Sequence, residues 1–244
     1  MEALKQGLTP ELEQILPSSG WEKRHSPGNF TLSTHFALFH GFLPTPTDPG
    51  FYEYSNVLYI PKTCKTQTNQ TKILNNGNII TLLSKHNYLT ICIGGVVFFS
   101  NKGYLGKIFT KFFDESYWTK EMSISSKNST EVQVHTALKR IREIPKKKRI
   151  FLFLNISSTH KPTRVFLKGG GKDSVESQKA ALSYSDRYLG KLIKEMRKRR
   201  NLFLIICSDH GEAMGENGYY GHRNSHPVVM IVPYIQLELK KLTT

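Results

Sequence analysis

The stretch that most constrains this chain is Asn201 to Arg223, NLFLIICSDHGEAMGENGYYGHR. Leu202 to Cys207 are apolar without a polar break, the pattern of a strand covered by helices on both faces, and the run stops at Ser208-Asp209-His210-Gly211. Neighbouring side chains of a strand point to opposite faces, so Asp209 and His210 converge only where the chain leaves the sheet. Gly211 is the residue that lets it turn there. A carboxylate and an imidazole at the carboxyl end of a buried strand stand where open α/β sheets bind ligands, and they make half of a metal site. Alone, two polar residues in that place are also ordinary turn formers.

The chain has 244 residues, enough for a large core, and no Pro/Gly/Ser linker divides it, so one α/β domain over 1–244 is expected. Its net charge of +15 favours anionic partners, phosphate esters or nucleic acid. The basic residues concentrate in Lys139 to Arg142, Lys146 to Arg149 and Lys191 to Arg200, on or beside expected helices. That reads as solvated helix faces, and nucleic acid is not the expected partner in the absence of a recognisable motif. Cys64, Cys92 and Cys207 are odd in number and widely spaced, which suits buried thiols in a reducing compartment. The amino terminus has no apolar signal core, and the longest apolar run, Tyr88 to Phe99, is too short to span a bilayer. A cytoplasmic protein without a membrane partner is therefore expected.

Thr9-Pro10-Glu11 reads as a capped helix start. From Ser26 to His35 the proline and glycine argue for a loop, leading into a short buried helix from Phe36 to Gly41. Thr31 then falls at or next to a helix amino terminus, where free N–H groups and the helix dipole favour an anion and ease formation of a threonine alkoxide. A plain N-cap is the other reading of Thr31. His35 lies one turn later on the same face.

Residues 45–72 read as loop with a short strand at Asn56 to Ile60. A helix at Asn78 to His86, a strand at Tyr88 to Ile93 and an aromatic helix at Tyr104 to Phe113 follow. A capping box at Asn128 to Glu131 opens a helix to Ile144, and Ile150 to Ile156 is a second apolar strand that delivers His160 in Thr159-His160-Lys161-Pro162. A long helix from Asp173 or Ser174 to Arg199 feeds Leu202. After His210, glycines at 211, 215, 218 and 221 make the loop pliable enough to bring His222 back over the strand end, before a last strand at Val228 to Val232.

Thr31 ten residues before Gly41, His160 after a strand, and Ser208-Asp209-His210-Gly211-Glu212 followed by Gly221-His222 resemble, in that order, the alkaline phosphatase and sulfatase superfamily. With Gly20 to Pro44, Cys92 to Val96 and Ser208 to Pro233, the chain looks closest to bacterial sulfatase-like hydrolases encoded beside radical SAM proteins, which are thereby implied as partners.

The resemblance implies a mostly parallel sheet between helices, a divalent ion, zinc or manganese, and a metal-dependent hydrolase of phosphate mono- or diesters. It makes Thr31 the nucleophile and a ligand, with Asp209 and His210 as further ligands. His160 and His222, with His35 and Arg223 beside them, are candidates for substrate oxyanions or a second metal. Threonine, in place of the cysteine or serine of true sulfatases, favours an anionic phosphate ester as substrate over a sulfate ester. Relatives open with a central strand ending in a metal-binding aspartate, and this chain begins after that point. A truncated reading of the gene is the expectation, and a catalytically inactive binding protein is the alternative.

Overall fold

The computed structural model describes residues 2–41, 57–58, 71–72 and 77–243. Helices are α1 (Glu2–Lys5), α2 (Pro10–Glu13), α3 (Thr31–His40), α4 (Ile79–Lys85), α5 (Gly103–Gly106), α6 (Ser129–Glu143), α7 (Val175–Arg199) and α8 (Pro227–Met230). Strands are β1 (Glu22–His25), β2 (Val57–Leu58), β3 (Thr71–Lys72), β4 (Tyr88–Ile93), β5 (Glu115–Tyr117), β6 (Arg149–Leu154), β7 (Leu202–Cys207), β8 (Ala213–Met214), β9 (Tyr220–Gly221) and β10 (Ile231–Leu239). The architecture is α/β with a parallel sheet flanked by helices, and the chain forms two compact units. The first comprises Met1–Glu22, Leu83–Ile206 and Pro233–Thr244; the second comprises Lys23–Leu82 and Cys207–Val232.

In the first unit β4 is the middle of a parallel sheet, paired with β5 on one side and β6 on the other. Helix α6 presents Val134, Ala137, Leu138 and Ile141 at helical spacing to Ile91 and Ile93 of β4 and Leu192 of α7. Each of the valine, leucine and isoleucine side chains taken out of water contributes about 2 kcal/mol. Gln133 ties the carboxyl ends of two strands together, because its amide donates to Gly94 O at 2.8 Å and to Asn155 O at 2.6 Å. The β6 exit loop is fixed in turn: Ser157 Oγ donates to Met122 O at 2.6 Å, and His160 N donates to Ser157 O at 3.0 Å.

Several local expectations change. Thr9 does not cap α2; the Asp186 carboxylate accepts from Glu11 N and Leu12 N at 2.9 Å, a cap supplied from α7 that local sequence does not reveal. Asn128 makes no side-chain cap either, and Glu131 N donates to Tyr184 Oη at 3.3 Å instead. α7 does carry a capping box, formed by Ser174 and Ser177. Between Tyr104 and Phe113 a full helix does not form. α5 ends at Gly106, where a Cβ would press on Ser100 Oγ, while Phe109 and Phe113 join the core against Phe99, Phe151 and Phe153.

Val228 lies in α8 and not in a strand, because Pro227 suits a first helical position and His226 Nδ1 accepts from Val228 N at 3.2 Å. Of the cysteines, Cys92 is buried and Cys207 is exposed, contrary to the expectation for Cys207, while Cys64 lies outside the described residues. The strand expected at Asn56 to Ile60 is seen as β2, paired with β3; residues 56, 59 and 60 lie outside the described set.

The largest departure is β7. Its residues alternate between half-buried and exposed, with Phe203 at 57% and Ile205 at 48% exposure, so helices do not cover both of its faces. An apolar strand with uncovered side chains is an aggregation template. Phe203→Thr with Ile205→Thr is expected to lower light scattering on storage and to leave the melting temperature within about 4 °C, since about half of each side chain already faces solvent.

Candidate metal centre

The second unit gathers most of the chemistry-bearing residues. α3 begins at Thr31, five residues earlier than the apolar spacing from Phe36 suggests, because buried Thr34 and His35 belong to its inner face as fully as Phe39 does. Phe30, the residue before it, offers no side-chain cap, so no side chain covers the first-turn N–H groups at the positive end of this ten-residue helix. Gly28 makes room for this start, since a Cβ there would stand 2.8 Å from Thr34 N. Ser26 Oγ stands 2.7 Å from Gly28 O and 2.5 Å from Asp209 O, and so joins that turn to the loop after β7.

Thr31 Oγ1 is 3.4 Å from His210 Nε2, and His210 Nε2 is 3.6 Å from Asp209 Oδ2. His210 Nδ1–H donates to Gly211 O at 2.8 Å, which leaves the Nε2 lone pair facing the Asp209 carboxylate. Two electron-rich atoms turned toward each other, with a hydroxyl beside them, suit a cation between them. Donors about 2.1 Å from a tetrahedral zinc stand about 3.4 Å apart, which the 3.4 and 3.6 Å separations match. The residues present therefore fit a divalent ion.

His35 stands behind this group. Its Nδ1 is 2.7 Å from Thr31 O, to which it donates, and 3.8 Å from Asp209 Oδ2. Burial lowers the His35 pKa, and the Asp209 charge opposes that shift. At 4% exposure it is placed to hold Thr31 and Asp209 in position more than to meet a substrate.

A second cluster shares His210. His210, Glu212 and His222 offer ligand atoms within 4.8 Å of one another, and the rings of His210 and His222 are 4.5 Å apart. The β8–β9 hairpin explains the pairing: its register sets Ala213 opposite Gly221, so Glu212 and His222 form the next cross-strand pair. His222 Nδ1–H donates to Glu212 Oε2 at 2.7 Å, an interaction a metal held by both would have to break, so the Thr31, Asp209 and His210 set is the better primary site. His222 keeps Nε2 for another partner.

Arg223, at a φ of 70°, donates its N–H to Asn29 O at 2.9 Å and lays its guanidinium 5.0 Å from the Phe30 ring, beside the start of α3. His160 belongs to the other unit, where its Nδ1–H donates to Lys161 O at 2.7 Å. The sequence offers Glu212, with Glu216, as a carboxylate for the metal but does not pair it with His222, and it gives Ser26 no role; the equal offsets of Glu212 and His222 from the hairpin are the available signal.

Comparison with curated protein sequences finds no match. Among solved structures, the chain is similar to the lipoteichoic acid synthase LtaP from Listeria monocytogenes, with TM-score 0.60 and 16% identity over 94% of this chain and 59% of that one. It is similar to the C-terminal periplasmic domain of EcEptC from Escherichia coli in a complex with Zn, with TM-score 0.62 and 16% identity over 96% and 67%. A protein in the alkaline phosphatase superfamily from Vibrio parahaemolyticus gives TM-score 0.59 and 20% identity over 98% and 58%. The chain thus spans less than two thirds of the length of LtaP and of the Vibrio protein. These TM-scores show a shared fold. The family itself follows from the sulfatase family model, which matches residues 7–236: the chain belongs to the sulfatase family.

Proposed function

We propose that the protein cleaves phosphate esters with Thr31 as nucleophile and Asp209 and His210 as ligands of a divalent ion. The observation that carries this reading is the Thr31 hydroxyl, at the uncapped end of α3 and 3.4 Å from His210 Nε2, which itself lies 3.6 Å from Asp209. Asp209, His210 and the Thr31 hydroxyl would hold a zinc or manganese ion, which would supply charge that eases deprotonation of Thr31 and offsets the phosphoryl oxygens. The Thr31 oxygen attacks phosphorus in line; the Thr31 O–P bond forms, the P–O bond to the alcohol breaks, and the alcohol leaves with a proton.

The N–H groups of the first α3 turn and the Arg223 guanidinium favour the remaining phosphoryl charge. His222, oriented by Glu212, presents the Nε2 lone pair to take up the proton that Thr31 loses and to return it to the leaving alcohol. Water then hydrolyses the threonine ester, or a second alcohol accepts the group, the outcome suggested by a relative named as a synthase. The zinc in the EcEptC complex supports zinc over manganese, and that relative's periplasmic naming weighs against the cytoplasmic expectation. No helix among the described residues is long and apolar enough to cross a membrane.

The test is turnover of nitrophenyl phosphate, bis-nitrophenyl phosphate and nitrophenyl sulfate after chelation and return of zinc or manganese. Phosphate-ester turnover that needs the metal is expected. Turnover of the sulfate alone overturns the substrate class, and no turnover with any metal favours the inactive binding protein. Metal at about a hundred times its Kd is expected to stabilise the fold by about 2.7 kcal/mol, read as a rise in melting temperature that chelator reverses.

A further inference from the structure

Four segments far apart in sequence meet in the first unit at the end where the parallel strands begin: 85–87 before β4, 142–149 between α6 and β6, 197–201 between α7 and β7, and 240–242 after β10. Hydrogen bonds fix the meeting. Arg199 donates to Ile141 O, Ile144 O and Pro145 O at 2.9 Å, and Arg200 donates to Lys147 O at 2.8 Å. Arg149 donates to His86 O at 2.8 Å, Leu242 N to Arg197 O at 3.0 Å, and Lys241 N to Asn201 Oδ1 at 2.9 Å.

The runs Lys146-Lys147-Lys148-Arg149 and Arg197-Lys198-Arg199-Arg200 are therefore one cluster in space, joined by Lys85, Lys240 and Lys241. Nearby acids are few and engaged: Glu143 pairs with Arg140, and Glu195 with Arg142 and Lys198. Cations at helix carboxyl ends are ordinarily accounted for by the helix dipole and the free carbonyls. Arg199 and Arg200 do that work here. Lys146, Lys147, Lys240 and Lys241 are exposed beyond it, and the dipoles do not account for them.

The kind of charge left over points to the partner. Reading nucleic acid favours bidentate arginine and exposed aromatic rings for stacking. Here Arg199 and Arg200 are spent on backbone carbonyls, and the Tyr88 ring lies 4.6 Å from the Arg149 guanidinium. What remains is lysine, a flexible and strongly hydrated point charge suited to a diffuse negative surface. We propose that this basic pole docks the protein peripherally on an anionic phospholipid bilayer. The expectation of no membrane partner rested on the lack of a spanning stretch, and peripheral docking needs charge alone. The proposal is independent of the ester chemistry.

Co-sedimentation with vesicles tests it, using phosphatidylcholine mixed with phosphatidylglycerol against phosphatidylcholine alone. The protein is expected to bind the mixed vesicles and to be released by salt. Lys146→Ala, Lys147→Ala, Lys240→Ala and Lys241→Ala combined are expected to lower the partition about a thousandfold with an unchanged melting temperature. Equal binding to phosphatidylcholine alone overturns the proposal, as does failure of the unaltered protein to bind the mixed vesicles. Tighter binding of an arbitrary duplex oligonucleotide, under salt that abolishes vesicle binding, overturns it in favour of nucleic acid.

Discussion

Thr31→Ala is expected to lower phosphate-ester turnover by at least about a thousandfold, the scale on which loss of a nucleophile acts. The substitution removes one hydroxyl and one methyl at the first position of α3, where no side-chain cap is lost, so the melting temperature stays within about 3 °C. Thr31→Ser keeps the oxygen and is expected to stay within about tenfold of the parent. Metal affinity also falls in the alanine variant, because one of three donors is gone, and titration of zinc into chelated protein reads that separately. Mass spectrometry of acid-quenched protein should find a phosphoryl group on the peptide that contains Thr31. An alanine variant with parental turnover would remove Thr31 from the chemistry while leaving Asp209 and His210 as a metal site.

Gly211→Ala is expected to be the most damaging single-atom change in the second unit, at about 3 kcal/mol. A Cβ at Gly211 would run into the carbonyl oxygen of Val228 and stand 3.0 Å from its carbonyl carbon. The backbone cannot step aside cheaply, because Gly211 N donates to Val229 O at 2.8 Å and Gly211 O accepts from His210 Nδ1. The variant should melt about 8 °C lower and bind metal more weakly, since the displaced loop carries both Asp209 and His210. Gly218 provides the contrast. Its φ is 82° with open space around it, so Gly218→Ala costs only the left-handed strain, about 1 kcal/mol, and leaves the site intact. Thermal melts of the two variants side by side decide whether crowding at Val228 is what demands glycine at 211.

That comparison also shows where sequence reasoning met its limit. Local sequence suggests Gly211 as the residue that lets the chain turn, yet the structure needs it for a close approach to α8, which no local pattern encodes. Thr9 and Asn128 fail as caps for a related reason: Asp186 and Tyr184, both on α7, supply partners to helices more than fifty residues away. β4, α6, α7 and β7 were legible within a residue or two, because apolar spacing reports which face of an element is inside. The placing of Thr31 at or next to a helix amino terminus holds, since α3 begins there, while apolar spacing alone starts only at Phe36, because buried Thr34 and His35 look polar in sequence and act as core.

The sequence by itself determined the order β4, α6, β6, α7, β7 and delivered Asp209 and His210 to the end of β7, since both depend on short-range periodicity and on where an apolar run stops. Only the tertiary structure decided that Thr31 Oγ1 comes within 3.4 Å of His210 Nε2 across 179 residues of chain, and that the hairpin closes Glu212 onto His222. It also decided that β7 keeps Phe203 and Ile205 exposed. The physical reason is that side-chain periodicity fixes which way each residue faces along its own element, whereas the distance between residues on separate elements is set by packing contacts that those elements make with the whole fold.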